Sequence, residues 1–158
     1  MIKVFVYGTL KPGEENYAEY CAGKIVDTKP VYTFGELFAL PQGYPAMIKG
    51  DNRVYGYLLT FANIEALTKL DELEDYHPSR QNSENLYQRE QIEVFNLESN
   101  IDFSFQSQPS QTQQFLGLAW TYLMTKSQVY QLNGVRQTDG WWTGDSINMQ
   151  QLCQNQLG

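Results

Sequence analysis

Residues 2–13 read IKVFVYGTLKPG, and the fold is decided by how this stretch is read. Ile2, Val4, Phe5 and Val6 are β-branched or aromatic, the composition of a buried strand. The run stops at Gly8 and breaks again at Pro12-Gly13, so the strand is predicted to exit into the loop Tyr7-Gly8-Thr9-Leu10. Glycine lacks the Cβ that would hold a ligand away from the main chain, so the backbone amides of such a loop can face one. A strand with a tight exit and no ligand is the commoner arrangement, and a second feature has to separate the two.

Outward from that strand the chain stays rich in β-forming residues. Its 11 Tyr and 8 Phe, with Val and Ile, tilt the fold towards strands. A short helix is predicted over Glu14 to Cys21, carrying Tyr17 and Tyr20 on one side. Strand character resumes from Ile25 to Leu40, where Pro30 and Gly35 predict a division into at least two strands. Pro41-Gln42-Gly43-Tyr44-Pro45 is a turn by composition, with Pro45 forcing Tyr44 into an extended conformation. Asn52 to Phe61 reads as a strand with Gly56 as a bulge or a point of close approach, and further strands are predicted over Tyr87 to Leu97 and Phe115 to Met124. Between these last two, residues 98–114 are rich in Gln, Ser and Asn and read as a polar loop insertion, solvated rather than a lid. After Gln128 the tail holds Asp139-Gly140-Trp141-Trp142, a turn followed by two large aromatics, and then a polar end expected to fray.

The totals bound the function. With 158 residues, 42% hydrophobic and 18% charged, the chain suits one sizeable core, and a single domain over 1–158 is expected. The net charge of -7 and the scattering of the 11 Lys and Arg offer phosphates no basic stripe, which argues against nucleic acid. Cys21 and Cys153 lie far apart without a CxxC, and His77 is the only imidazole, so no Cys/His zinc site can be assembled and no metal or other cofactor is expected. Nothing near the N-terminus resembles a signal peptide, and the longest apolar stretch falls short of the roughly 20 residues of a membrane span. The expectation is a cytoplasmic protein with reduced thiols and no membrane partner; oligomeric state is left open.

The second feature lies in the clearest helix, predicted from Asn63, a good N-cap residue, to Asp75. At about 100° per residue, Ile64, Leu67, Leu70 and Leu73 form one apolar stripe, while Glu65, Lys69 and Glu72 point away. Glu74 falls within the stripe, four residues after Leu70 and seven after Leu67. An ionised carboxylate buried without partners costs several kcal/mol, so such a group has a raised pKa or a specific partner. Either makes Glu74 a candidate acid or base; the plain alternatives are a bend to solvent or a pair with Arg80 or Arg89. Asp71 borders the same face and reads better as a structural hydrogen-bond acceptor.

Tyr7-Gly8-Thr9-Leu10, then Gly43-Tyr44-Pro45-Ala46, then Leu70-Asp71-x-x-Glu74, then Tyr87-x-Arg89 occur in this order across residues 1–124, with Ala119-Trp120-x-Tyr122 as a last core strand. Together they resemble the gamma-glutamylcyclotransferase-like family, also called AIG2-like. The resemblance implies an α+β fold: a small, mixed, strongly curved β-barrel with a few helices packed outside and a cavity at one end. It implies further that Tyr7, Gly8, Thr9 and Leu10 bind the glutamyl part of a small-molecule γ-glutamyl substrate and that Glu74 is the general acid/base. Tyr44, Tyr87 and Arg89 are candidate substrate-binding residues, against core tyrosines and a strand salt bridge as plainer readings. Two departures stand out: residues 77–86 exceed the short turn expected there, and 98–114 is an extra insertion. Both leave the amine portion of the substrate open.

The chemistry fits this residue inventory. In cyclotransfer the substrate's own α-amino group attacks its γ-carbonyl and closes 5-oxoproline, so no nucleophilic side chain or cofactor is needed. A base, an acid and oxyanion donors suffice, and one carboxylate with a pKa near neutrality can serve in both proton transfers. The competing reading is a binding module for a γ-glutamyl or other carboxylate ligand, which gains nothing from a desolvated carboxylate facing it. A Ser or Cys hydrolase is unsupported, for no GxSxG occurs and neither cysteine has a neighbouring imidazole in sequence.

Overall fold

In the computed structural model, which describes residues 1–97 and 114–144, the opening segment forms β1 (Ile2–Val6). It is followed by α1 (Tyr17–Tyr20), β2 (Ile25–Ala39), β3 (Pro45–Phe61), α2 (Glu65–Leu73), β4 (Gln88–Asn96), β5 (Phe115–Leu123), α3 (Lys126–Gln131) and the two-residue β6 (Val135–Arg136). The hydrogen-bonded order is β3-β1-β5-β4-β2-β6, and β2 also pairs with β3. That last pairing closes five strands into a barrel with no free edge among them, and β6 extends β2. The barrel is mixed, because β1 runs parallel to β5 with Val4 opposite Trp120 while its other neighbour, β3, is antiparallel. The α+β barrel implied by the resemblance is the observed fold.

Alternation along β1 divides the core. Phe5 and Tyr7 join Val31, Leu37, Val54, Leu58, Val94 and Leu123, contributions from all five strands that fill the barrel interior. Val4 and Val6 face the other way, onto Leu59, Phe61 and the helix residues Leu67 and Leu70. At about 1.5–3 kcal/mol for each large apolar side chain removed from water, these two layers supply the main drive for folding. Both faces of β1 are covered, which is why its Val4-Phe5-Val6 run reads as uniformly apolar.

Several sequence expectations need correction. Pro30 and Gly35 do not divide β2, which is continuous from Ile25 to Ala39. The Pro30 carbonyl accepts from the Leu97 N–H, so its backbone polar face is turned to the β4 flank, just past the end of that strand, and the missing donor costs the β2–β3 ladder nothing. Gly35 marks a register shift rather than a stop. β3 starts at Pro45 and not at Asn52, its first part pairing Ala46 with Phe38. Gly56 is the close approach that was one of its two readings, since a Cβ there would meet the Val6 carbonyl oxygen at 2.2 Å.

The predicted helix over Asn63 to Asp75 is shorter at both ends, and Ile64 rather than Asn63 occupies the N-cap position, with no side-chain cap. Ile64 leaves the apolar stripe and is 69% exposed, because it precedes the first helical turn. Likewise α1 is confined to Tyr17–Tyr20. In the tail the chain adds α3 and β6, elements beyond those expected from the sequence, α3 being opened by a reciprocal capping box of Thr125 and Gln128. Residues 98–113 of the polar insertion and the polar end after Gly144 lie outside the described residues. No helix among the described residues is long and apolar enough to cross a membrane.

Candidate active site

Where β1 ends, the chain turns sharply back on itself. The Gly8 carbonyl accepts from the Lys11 N–H at 3.0 Å, the Thr9 carbonyl from the Asn16 N–H at 2.8 Å, and Thr9 Oγ1 from Asn16 Nδ2 at 3.0 Å. These bonds occupy the oxygens of the loop and leave the N–H groups of Gly8, Thr9 and Leu10 without an acceptor among the described residues. Such unpaired donors, held in a fixed loop, suit an anionic oxygen. Glycine at position 8 is dictated by packing: a Cβ would lie 2.4 Å from Cγ of Pro45, the first residue of β3.

Three tyrosines brace the loop. The Tyr7 hydroxyl donates to the Tyr122 carbonyl at 2.5 Å and accepts from the Met47 N–H at 3.2 Å, tying β1 to β5 and β3. Burial, then the nearby Glu74 charge, pushes the Tyr7 phenol far above its ordinary range, so it stays neutral. Tyr87 donates to the Pro45 carbonyl at 2.5 Å and is raised by the same burial. The less buried Tyr44 ring lies 6.3 Å from that of Tyr87, tilted against it.

Glu74 follows the last residue of α2, its N–H bonded to the Leu70 carbonyl, and Asp75 then takes a left-handed φ of 51° that ends the helix. Its carboxylate enters a cavity of about 40 Å³ whose wall also includes Tyr7, Gly8, Thr9, Leu10 and Tyr122. Burial raises its pKa from 4.5 to about 7. The two arginines that could have neutralised it are engaged elsewhere. Arg80 binds Asp75 at 3.1 Å, and Arg89 binds Asp71 at 2.5 Å. Asp71 also accepts the Tyr122 hydroxyl at 2.7 Å, as befits the structural acceptor expected of it. Glu74 itself makes no ion pair among the described residues.

Of the sequence candidates, Tyr7, Gly8, Thr9, Leu10, Tyr44, Tyr87 and Glu74 converge on this cavity. Arg89 is not among the residues that line it; its guanidinium packs over Tyr76 and Trp120 at 5.2 and 4.9 Å and pairs with Asp71 of α2, a salt bridge from strand to helix. His77 is exposed and bonded to Ser79 at 2.6 Å. Tyr122, a wall residue, is marked in the sequence only as part of a strand. It reaches the site because parallel pairing sets Trp120 beside Val4, hence Tyr122 level with the exit of β1, and no local pattern encodes that pairing. Pro45, Phe5, Val6 and Thr121 complete the wall.

A second cavity of about 150 Å³ adjoins the first and shares Thr9, Tyr44, Glu74 and Tyr87 with it. Behind the loop, Lys11 is buried, its ammonium 3.3 Å from the centre of the Trp141 ring and donating to the Trp142 carbonyl. Burial lowers its pKa to about 8, against the raising influence of Glu14. Among the described residues no group of three or more His, Cys, Asp or Glu is placed to hold a metal ion.

Comparison with known proteins places this geometry in context. A family model described as "Gamma-glutamyl cyclotransferase, AIG2-like" matches residues 4–144. A Vibrio cholerae protein named "Putative gamma-glutamylcyclotransferase" is 36% identical over 75 residues, covering 46% of this chain and 61% of that protein. The match therefore spans less than two thirds of that relative. Among solved structures, an AIG2-like protein from Mus musculus superposes with a TM-score of 0.52 at 24% identity, over 78% of this chain and 77% of the other. YkqA from Bacillus subtilis superposes with a TM-score of 0.58 at 20% identity, over 95% of this chain and 42% of that one. At these identities the two structures speak to the fold.

Proposed function

Since this chain belongs to the gamma-glutamyl cyclotransferase, AIG2-like family, we propose that it releases 5-oxoproline and a free amine from a γ-glutamyl amine or amide, with Glu74 as general acid and base. The observation that carries the reading is Glu74: a carboxylate with no ion-pair partner among the described residues, in the same cavity as the Tyr7–Leu10 loop and with a pKa near 7.

In this mechanism the loop N–H groups hold anionic oxygens of the substrate, the α-carboxylate or the developing oxyanion, because among the described residues no lysine or arginine lines the cavity. Ionised Glu74 takes a proton from the α-ammonium, and the freed amine attacks the γ-carbonyl to form the new C–N bond of the lactam ring. Two protons leave the α-nitrogen in all. One reaches the departing nitrogen through Glu74 before the old C–N bond breaks, and the released amine gains the other from water. A group with a pKa near the working pH suits this exchange, because both its forms are well populated. The substrate provides its own nucleophile, so the protein's task is to fold the glutamyl chain into a reactive conformer. Tyr7, Tyr44 and Tyr87 contribute walls and fixed geometry, and Arg89 acts only through Asp71.

The test is 5-oxoproline release from γ-glutamyl amino acids, γ-glutamyl-ε-lysine and glutathione, with the parent beside Glu74→Gln. Release that disappears in the variant supports the mechanism, and full activity of the variant removes it. No release from any of these, with ligand-induced thermal stabilisation still present, favours a binding module.

A further inference from the structure

The second cavity touches the catalytic carboxylate from another side. It shares Thr9, Tyr44, Glu74 and Tyr87 with the glutamyl cavity, and its rim carries Glu15, Asn16 and Gln42. A γ-glutamyl substrate whose reacting carbonyl lies beside Glu74 has its glutamyl carbons on one side of the scissile bond and its amine portion on the other. With the glutamyl part in the smaller cavity, the larger one is the space left for the amine.

Its chemistry is one-sided. Among the described residues, the charged ones that line it are Glu15 and Glu74, with neither lysine nor arginine. Glu15 is exposed, and its carboxylate has no hydrogen-bond or ion-pair partner among the described residues. Asn16 spends a side-chain N–H on Thr9, which leaves its amide oxygen as an acceptor. The nearest lysine in sequence, Lys11, is buried against Trp141 and Trp142 and cannot balance the rim. A departing amine with a second ammonium finds acceptors and negative charge here, while one ending in a carboxylate finds repulsion without a compensating donor cation.

We propose that the second cavity is the subsite for the departing amine and that Glu15, at its rim, makes the site selective for γ-glutamyl derivatives of diamines over those of amino acids whose carboxylate points into it. This rests on the cyclotransferase reading. Glu15 does not touch the reacting atoms; it is a specificity-determining residue.

Three substrates of matched length separate the terminal charges: the γ-glutamyl derivatives of putrescine, pentylamine and γ-aminobutyrate, ending in an ammonium, a methyl and a carboxylate. The readout is the ratio of kcat/KM between the first and the third. In the parent the putrescine derivative is preferred and the γ-aminobutyrate derivative is poorest. An exposed charge interaction is worth up to about 1 kcal/mol, about 5-fold, and the ratio contains one attraction and one repulsion, so Glu15→Gln should shrink it by up to about 25-fold, and Glu15→Lys should shrink it further or invert it. Raising the ionic strength should compress the parent's ratio towards that of Glu15→Gln. If all three substrates release 5-oxoproline with a ratio that neither substitution alters, the subsite assignment is wrong and the cyclotransferase reading stands. If none of them releases it while a γ-glutamyl amino acid, γ-glutamyl-ε-lysine or glutathione does, the subsite assignment alone is wrong; if none of these compounds does either, both fall.

Discussion

Asp71 and Glu74 stand three residues apart at the end of one helix, yet the two corners of the molecule they occupy are built on opposite principles. Asp71 receives the Arg89 guanidinium and the Tyr122 hydroxyl, and its side chain is 14% exposed. Glu74 is withdrawn into a cavity where, among the described residues, no cation pairs with it. A carboxylate met by hydrogen-bonding partners fixes structure, whereas one buried without a cation, as Glu74 is among the described residues, holds its proton near neutrality. Arg89, one of the two arginines the sequence offers Glu74 as a partner, is engaged by Asp71 instead.

The largest expected effect comes from erasing the reactive corner. Glu74→Gln should lower 5-oxoproline release by at least about 100-fold, with circular dichroism unchanged; retained turnover would leave the two corners chemically alike. Next comes the structural corner. Asp71→Asn strands a partly buried guanidinium and should cost about 2–3 kcal/mol in urea unfolding. It should also move the acid limb of the kcat/KM profile to lower pH, as the released Arg89 favours ionised Glu74. Adding Arg89→Met should return that limb towards the parent's position. A limb that never moves would confine Asp71 to a purely mechanical role.

A smaller effect concerns pH and stability. The folded state raises the Glu74 pKa from 4.5 to about 7, so it binds that proton more tightly than the unfolded chain does. The stabilisation is complete below the unfolded value and is lost as pH rises through the folded one. Thermal unfolding of the parent should therefore match that of Glu74→Gln near pH 4 and fall behind it by about 1–2 kcal/mol near pH 8, the full shift being reduced because Glu74 keeps some solvent contact. Smallest is Tyr87→Phe, which leaves the Pro45 carbonyl unpaired and should cost about 1 kcal/mol in denaturant unfolding, with a modest rise in KM.

The two corners also differ in how far the sequence discloses them. Glu74 announces itself as an acidic residue on the stripe of Leu67 and Leu70, and the Tyr7–Leu10 loop as a strand running into glycine. Both are local patterns, and both survive in the structure. The engagement of Arg89 by Asp71 is not local: it depends on β4 and β5 passing beside α2, so the sequence leaves Arg89 equally suited to substrate, to Glu74 or to a strand pair. Tyr122 is hidden for the same reason. Pro30 misleads because its effect depends on which flank its missing N–H meets, and Ile64 because periodicity persists past the residue where the helix begins.

The bonds from Tyr7 to Tyr122 and from Lys11 to Trp142 join positions 115 and 131 residues apart. On a ribosome adding roughly 5–20 residues each second, the Tyr7–Leu10 loop has to wait several seconds for β5 and the Trp141-Trp142 pair that hold it. A barrel sealed by such a distant parallel pair is a slow-closing one. Until then the edge of β1 that meets β5 has no strand to pair with, although β3 already covers the other, so the strand leading into the loop needs protection from premature association while the chain is still being made.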